Sequence, residues 1–440
     1  MTKLTYNKVN QDILRMIEPP TRAWLILFIC DLLVLGFGLM CFAYQVRTGL
    51  GVAGYTRPVM WATYITNFVF WVGIGHAGTL ISAVLFLFRA RFRNSIYRTA
   101  EGMTVFAVMT AGLFPLIHLG RVWNFYWLIP YPNQRQLWTN FRSPLEWDVF
   151  AVTTYLTISS VFFFVGLIPD VAVARERAVG LRKKLYTLLS FNWRGTDRQW
   201  RHYNNAYIYF AALATPLVFS VHSVVSWDFA MSINPGWHST IFAPYFVAGA
   251  IFSGIAMVIT LMVPMRKIFG LEAYLGDWHF DSMGKILLFT SLIVSYAYVV
   301  ELFLAWYGGI RYEQDVFWDR AFGPMGWAFG VMVLCNCIIP LACCWRSVRT
   351  NIGAMFVISI FVNIGMWFER FVIIVQSLSH GFPIYVWRLY APTWVELGIT
   401  AGSFAWFFMF FLLFVKFLPA MAIAEIKEIL PQPARKAKVA

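Results

Sequence analysis

PLIHLGRVWNFYWLIPYPNQRQLWTNFRSPLEWD, residues Pro115–Asp148, joins two apolar runs across a long aromatic loop. The chain leaves the first run through His118 and Arg121 and enters the second through Glu146 and Asp148. Runs on both sides are long enough to cross hydrocarbon as helix. The stretch therefore reads as a turn outside a membrane, with ionisable groups at both of its borders. That is where a protein would handle a lipid-soluble molecule that gives up protons.

Working outward, runs of this kind recur ten times, near 22–44, 61–88, 102–123, 148–171, 205–227, 243–265, 284–307, 324–345, 351–377 and 393–418. Composition agrees: 60% of the 440 residues are apolar and 13% are charged, against about 25% charged in soluble domains. An all-α polytopic membrane protein is expected. About twenty polar residues precede the first run and no A-x-A site follows it, so that run is expected to act as an anchor rather than a cleaved signal.

The net charge of +14 could suggest nucleic acid, but its distribution points to topology. With ten spans, the termini and the even-numbered loops share one side. That side carries 26 of the 35 Lys and Arg residues, the other side 8, and Arg370 lies within a span. The positive-inside rule then makes both termini cytoplasmic. The six cysteines show no cluster or c-type haem spacing and read as small buried apolar residues.

Two extramembrane segments stand out. LRKKLYTLLSFNW (181–193) sets Leu181, Leu185, Leu188 and Leu189 on one helical face beside Arg182, Lys183 and Lys184, a pattern suited to a helix lying in the interface. The outer segment 124–147 exceeds the usual loop length, which favours function. An aromatic belt accounts for Trp123, Tyr126, Trp127 and Trp138 one by one. It does not account for Arg135, Arg142 and Glu146 among them. The tail 431–440 reads as a disordered end.

Ionisable groups inside spans are costly and usually face a cavity or the bundle interior. His118 and Arg121, three apart, are expected on one helical face. Asp148 opens the fourth span on the same side, and His222 and Asp228 close the fifth. Three segments thus reach one depth at one face, and a cluster of such groups under a structured loop is a binding-site pattern. His76 lies deeper, in GIGHAGTLISA with Thr79 and Ser82, where small residues allow close helix approach. Glu101, Asp31, Glu301 and the Glu369–Arg370 pair are further candidates. No metal set is evident. His118 and His222 could meet at one depth, but no second pair supports haem, which is not expected. Spans two and six both carry aromatics followed by small residues, a weak repeat whose copies run in the same sense.

On GHAGTLISA, on Pro115–Asp148 and on HSVVSWDFAMS (222–232), the chain resembles the NrfD/PsrC-type integral membrane subunits of quinone-linked oxidoreductases. Within them it is most similar to the quinol-binding subunit of bacterial alternative complex III. The resemblance covers most of the chain and implies two four-helix bundles plus two flanking helices. It divides the chain into 1–60 (N-terminus and first flanking helix), 61–230 (first bundle with the quinol pocket), 231–377 (second bundle) and 378–440 (last flanking helix and tail). It also implies inverted repeats, unlike the same-sense repeat read from spans two and six.

Carried over by residue, the quinol-binding and proton-accepting positions are His118, Asp148 and Asp228, with Arg121, Trp123, Glu146 and His222 supporting. A proton route through His76, Thr79, Ser82, Glu101, Glu301 and Glu369 is implied less directly. The implied function is the quinol-oxidising membrane subunit of a multi-subunit enzyme in a bacterial inner membrane. Menaquinol is its substrate, it has no covalent cofactor, and it contributes to proton translocation. The implied partners are a periplasmic iron–sulfur subunit, cytochrome c-type subunits, a second NrfD-like membrane subunit and lipids, with no nucleic acid. The competing readings are a proton-coupled ion or solute transporter and a structural membrane anchor for a redox complex.

Overall fold

A computed structural model describes residues 4–131, 143–382, 384–428 and 430. Arg135, Trp138 and Arg142 of the outer loop and the tail 431–440 lie outside the described residues. Among the described residues there is no β-strand, and ten helices are long and apolar enough to cross a membrane. They are α1 (Arg22–Thr48), α2 (Thr63–Leu87), α3 (Tyr97–His118), α4 (Pro144–Arg177) and α5 (Asp197–Ala230), then α6 (Phe242–Phe269), α7 (Asp277–Gly308), α8 (Gly326–Cys344), α9 (Ile352–Ser379) and α10 (Trp394–Phe417). The chain is a multi-pass integral membrane protein. Alternation puts the start of α1 and the end of α10 on one face, here the terminal face, with the α3–α4 connection on the opposite face.

All ten expected spans are present, and several outrun their apolar runs. The third is shifted as a whole: expected at 102–123, it is helical over Tyr97–His118. Its start lies earlier because Arg98 is buried with partners rather than solvated. The guanidinium donates to Glu101 Oε2 at 2.9 Å, Asp170 Oδ2 at 3.2 Å and the Gly166 carbonyl at 2.5 Å. Its end lies earlier because Gly120 takes φ +69°, a left-handed conformation that closes a helix. The next residues, Val122–Leu128, form 3₁₀ turns.

Helices α2 and α6 form the centre and pack on each other. Every residue of Thr63–Thr79 is buried, as expected of a helix apolar on all sides. Close approach depends on small residues, since lipid tails give apolar helices no reason to associate and packing must do so. A Cβ on Gly254 of α6 would fall 2.2 Å from the Ala77 Cβ, and one on Gly78 would fall 2.0 Å from Thr104 Oγ1 of α3. Both contacts fall within two residues of His76.

Around that centre, α2 packs on α3, and α4 packs on both α3 and α5. Helix α6 packs on α7 and α9, and α8 on α9. Helices α1 and α10 pair along the outside, and α1 turns Leu25, Leu32, Leu33 and Phe37 outward. With ten spans, α2 and α6 enter from the same face. The Gly180–Leu189 helix exposes Leu181, Leu185 and Leu188. Its Arg182 turns inward and donates to the Ile17 carbonyl at 2.7 Å.

Candidate functional site

At the opposite face, the ends of α2, α3, α4 and α5 enclose a cavity of about 450 Å³. His118 comes from the last residue of α3, Asp148 from the second turn of α4 and Asp228 from the last turn of α5, and all three line it. The remaining wall is largely apolar, with Trp61, Phe68, Leu116, Leu119, Phe125 and Leu128 prominent. A cavity of this size with few convergent polar groups is of the kind that holds a small organic ligand.

The two carboxyl groups face each other. Neither oxygen of Asp148 nor Oδ1 of Asp228 has an N–H or O–H donor among the described residues. No cation is paired with them among the described residues, so the pair is available to a ligand.

His118 is held from behind. The Tyr55 hydroxyl lies 3.0 Å from His118 Nδ1, and Tyr55 sits edge-on to Tyr64 at 6.0 Å between ring centres. Tyr64 in turn donates to Gln45 Oε1 of α1, and Gln45 Nε2 donates to the Ile117 carbonyl at 3.0 Å. Burial, followed by the neighbouring Tyr64, Glu396 and Tyr390, raises the Tyr55 phenol well above its ordinary value, so it stays protonated. A tyrosine hydroxyl both donates and accepts, so it supports His118 in either tautomer and leaves Nε2 for chemistry. The loop that carries Tyr55 is fixed by buried Glu396 of α10, which accepts from the Gly54 amide at 2.8 Å and from the Tyr390 hydroxyl at 2.6 Å.

The other expected residues fall elsewhere. Arg121 and Trp123 are exposed and do not line the cavity; Phe125, Leu128 and Ile129 of the same segment do. Glu146 sits in the first turn of α4, outside the lining, with no hydrogen-bond partner for either oxygen among the described residues. His222 is not beside His118. It is fully buried against His76, the two rings 4.5 Å apart. His76 Nδ1 lies 2.6 Å from the Val72 carbonyl, and its ring stacks on Tyr155 at 5.2 Å. Thr79 Oγ1 is 2.7 Å from the Tyr155 hydroxyl, whereas Ser82 Oγ has no partner among the described residues.

Glu101 belongs to the Arg98 cluster near the terminal face and accepts from the Tyr207 hydroxyl at 3.2 Å. Glu369 forms an ion pair with Arg370 at 2.9 Å and accepts from Tyr298, and Arg370 lies 4.3 Å over the Phe246 ring. Glu301 opens onto a separate cleft. The six expected route residues therefore form several groups: His76, Thr79 and Ser82 along α2, Glu101 with Arg98, Glu369 with Arg370, and Glu301 at its own cleft. Sequence reasoning missed Tyr55, Tyr64, Gln45 and Glu396, of which only Glu396, a buried acid within an apolar run, carried a signal.

Comparison with known proteins adds a family. Its sequence profile, described as polysulphide reductase, NrfD, matches residues 51–381. A protein of Halobacterium salinarum, named as a candidate membrane component of dimethyl sulfoxide reductase, is 28% identical over 271 residues, 61% of this chain and 58% of that protein. A selenate reductase component of Mesobacillus selenatarsenatis is 20% identical over 303 residues, 67% of this chain and 68% of its own. The integral membrane subunit of menaquinone reductase from Nitratidesulfovibrio vulgaris is 26% identical over 194 residues, 42% of this chain and 44% of its own.

Proposed function

The chain belongs to the NrfD family, and from that premise we propose that it is the quinol-binding membrane subunit of a multi-subunit oxidoreductase. The observation that carries this reading is the cavity joining His118, Asp148 and Asp228 behind an apolar wall. Such a wall suits a ring with an isoprenoid tail, and the polar trio suits the two hydroxyls. Menaquinol is the proposed substrate, consistent with a relative named for menaquinone reductase. The further likeness to the quinol subunit of alternative complex III belongs to the same proposal.

Oxidation of a quinol to a quinone releases two electrons and two protons. One hydroxyl donates to His118 Nε2, and Tyr55 accepts from Nδ1–H when the ring becomes charged. The other hydroxyl meets the Asp148–Asp228 pair, whose unprotonated carboxyl takes the second proton. The pair then passes it toward water at the opposite face. A partner subunit docked over that face would hold an iron–sulfur cluster, which would accept the two electrons. The charge bias supports a periplasmic position for this face, in a bacterial inner membrane, and cytochrome c-type and further membrane subunits are proposed in the assembly. Contribution to proton translocation, through His76 and the acids of the second half, completes the proposal.

Quinol oxidation by the assembled complex tests it. Asp148→Asn and His118→Ala should each lose most turnover while the complex still assembles. Full turnover in both variants would overturn the assignment.

A further inference from the structure

A second cleft, of about 590 Å³, opens at the opposite face on the other side of the α5 end. Trp227 lines it, whereas the next residue, Asp228, lines the first cavity. Its polar lining comprises Glu301 of α7, Glu313 of the surface helix Arg311–Phe322, and His238, Ser239 and Thr240 of the segment before α6. No Lys or Arg lines it among the described residues, although the whole chain carries a net charge of +14. The cleft is a local reversal of that charge, and the aromatic side chains Trp227 and Phe317 share its wall. Carboxylates beside aromatic rings are the chemistry that receives an organic ammonium.

Depth says where such a group would come from. Helix α7 has 32 residues, about 48 Å of helix against a hydrocarbon core of about 30 Å. A centred span of that length runs about 9 Å past each hydrocarbon border. Glu301 lies seven residues before Gly308, the end of the span, which is about 10 Å of helix. It therefore stands where hydrocarbon gives way to lipid headgroups. Trp227, Leu304 and Ile310 of the lining are exposed, an apolar flank on which acyl chains can lie.

Two polar atoms of the lining lack partners, one able only to accept and the other able to donate. Glu301 is 7% exposed, and its Oε1 has no hydrogen-bond partner among the described residues. Behind it lies a chamber of about 20 Å³, room for one water molecule, so a larger partner can reach it only from the cleft. Arg320 borders that chamber rather than the cleft, and donates to the Gly236 carbonyl at 3.1 Å and to Ser377 Oγ at 2.5 Å. Ser239 Oγ is the second atom, buried without a partner among the described residues. It lies just before α6, whose first turn has no side-chain cap and whose Ala243 also lines the cleft. A hydroxyl and the free amides of a helix start are partners for an anion. The cleft thus offers an acceptor to a cation and donors to an anion, the complement of a zwitterionic headgroup.

We propose that this cleft holds the headgroup of an ethanolamine phospholipid from the leaflet at the opposite face. Its ammonium donates to the Glu301 carboxylate within the wall that Trp227 and Phe317 share, and its phosphate accepts from Ser239 Oγ and the first amides of α6. A primary ammonium is needed, because an acceptor without a donor takes an N–H that trimethylammonium lacks. Glu301 and Glu313 together disfavour a headgroup that carries only negative charge. The proposal rests on the span and the cleft, not on the quinol reading. Held by an ammonium, Glu301 stands apart from the proton route, whose second-half acid is then Glu369.

The test is lipid retention by the purified full chain, read by native mass spectrometry. The micelles hold equal amounts of phosphatidylethanolamine, phosphatidylcholine and phosphatidylglycerol with the same acyl chains. Phosphatidylethanolamine should be retained at least about tenfold over either of the others, the scale of one hydrogen bond to a charged group. Glu301→Gln should abolish that preference. Equal retention of the three lipids overturns the proposal, as does a preference that survives Glu301→Gln. A second measurement needs no variant. Phosphatidylethanolamine with a photoreactive group near the glycerol end of one acyl chain should label 227–243 and 301–317 ahead of the rest of the unsubstituted chain. Heavier labelling elsewhere overturns the site. Both readouts are independent of quinol turnover, so their failure is distinct from failure of the quinol assignment.

Discussion

Both halves of the chain bury acids beneath the opposite face, and the two differ in what surrounds them. Asp148 faces Asp228 at the edge of a cavity, with no cation paired to either among the described residues. Glu369 has Arg370 at 2.9 Å and the Tyr298 hydroxyl, within packed helices. The first arrangement is under-satisfied and open, so a ligand with hydroxyl groups can complete it. The second pairs its acid with a cation and costs stability when that pair is broken. The residue types are alike, but Glu369 lies ten residues from the opposite-face end of its span and Asp148 four, and the surrounding groups leave one acid to a ligand and pair the other with a cation.

The largest effect expected from this contrast is on Arg370→Ala. Removing one partner of a buried pair strands the other charge and costs about 3–5 kcal/mol. The chain should lose its monodisperse peak in size-exclusion chromatography or unfold at a much lower temperature. A variant that stays folded with an unchanged thermal midpoint would break the comparison, because Arg370 would then not be architectural. Asp148→Asn should behave in the opposite way. Its thermal midpoint should move by no more than about 2 °C, which is within about 1 kcal/mol for a chain this large. Quinol oxidation should fall about 100-fold, the scale of a lost acid–base group.

Hydrophobic runs made the ten spans legible, because lipid forces every spanning segment to be long and apolar. Meeting of His118, Asp148 and Asp228 was legible for the same reason, since alternation fixes depth. Rotation about each helix axis was harder to read. His222 precedes Asp228 by six residues, about 240° around the helix and about 9 Å deeper, so the two could not share one cavity; His222 meets His76 instead. The i, i+3 spacing that sets Arg121 on the face of His118 holds only within a helix. The helix ends at His118, and Gly120 turns the chain with φ +69°. Tyr55 was not legible, because it sits in a loop whose course is set by Glu396, more than three hundred residues later.

These corrections supply the two smaller predictions. Tyr55→Phe removes the hydroxyl at His118 Nδ1 and nothing else from the site. A hydrogen bond of this kind contributes about 1 kcal/mol, so quinol turnover should fall about fivefold, well short of the Asp148→Asn effect. A loss as large as that of His118→Ala would mean that Tyr55 itself handles the proton.

The smallest effect is expected from Arg121→Ala. Arg121 is exposed and lies past the helix end, while the cavity wall from this segment is formed by Phe125, Leu128 and Ile129. Affinity of the isolated chain for a quinol analogue should therefore change by less than about twofold, since a solvated charge outside a cavity is heavily screened. Phe125→Ala should weaken the same affinity more, because it takes apolar area from the ligand wall at about 25 cal/mol per Å². If Arg121→Ala proves the more damaging of the two, the aromatic segment must close differently over a bound ligand and bring the guanidinium to it. The open cavity of the first half would then be an access state, and its contrast with the closed acid centre of the second half would hold only in the absence of ligand.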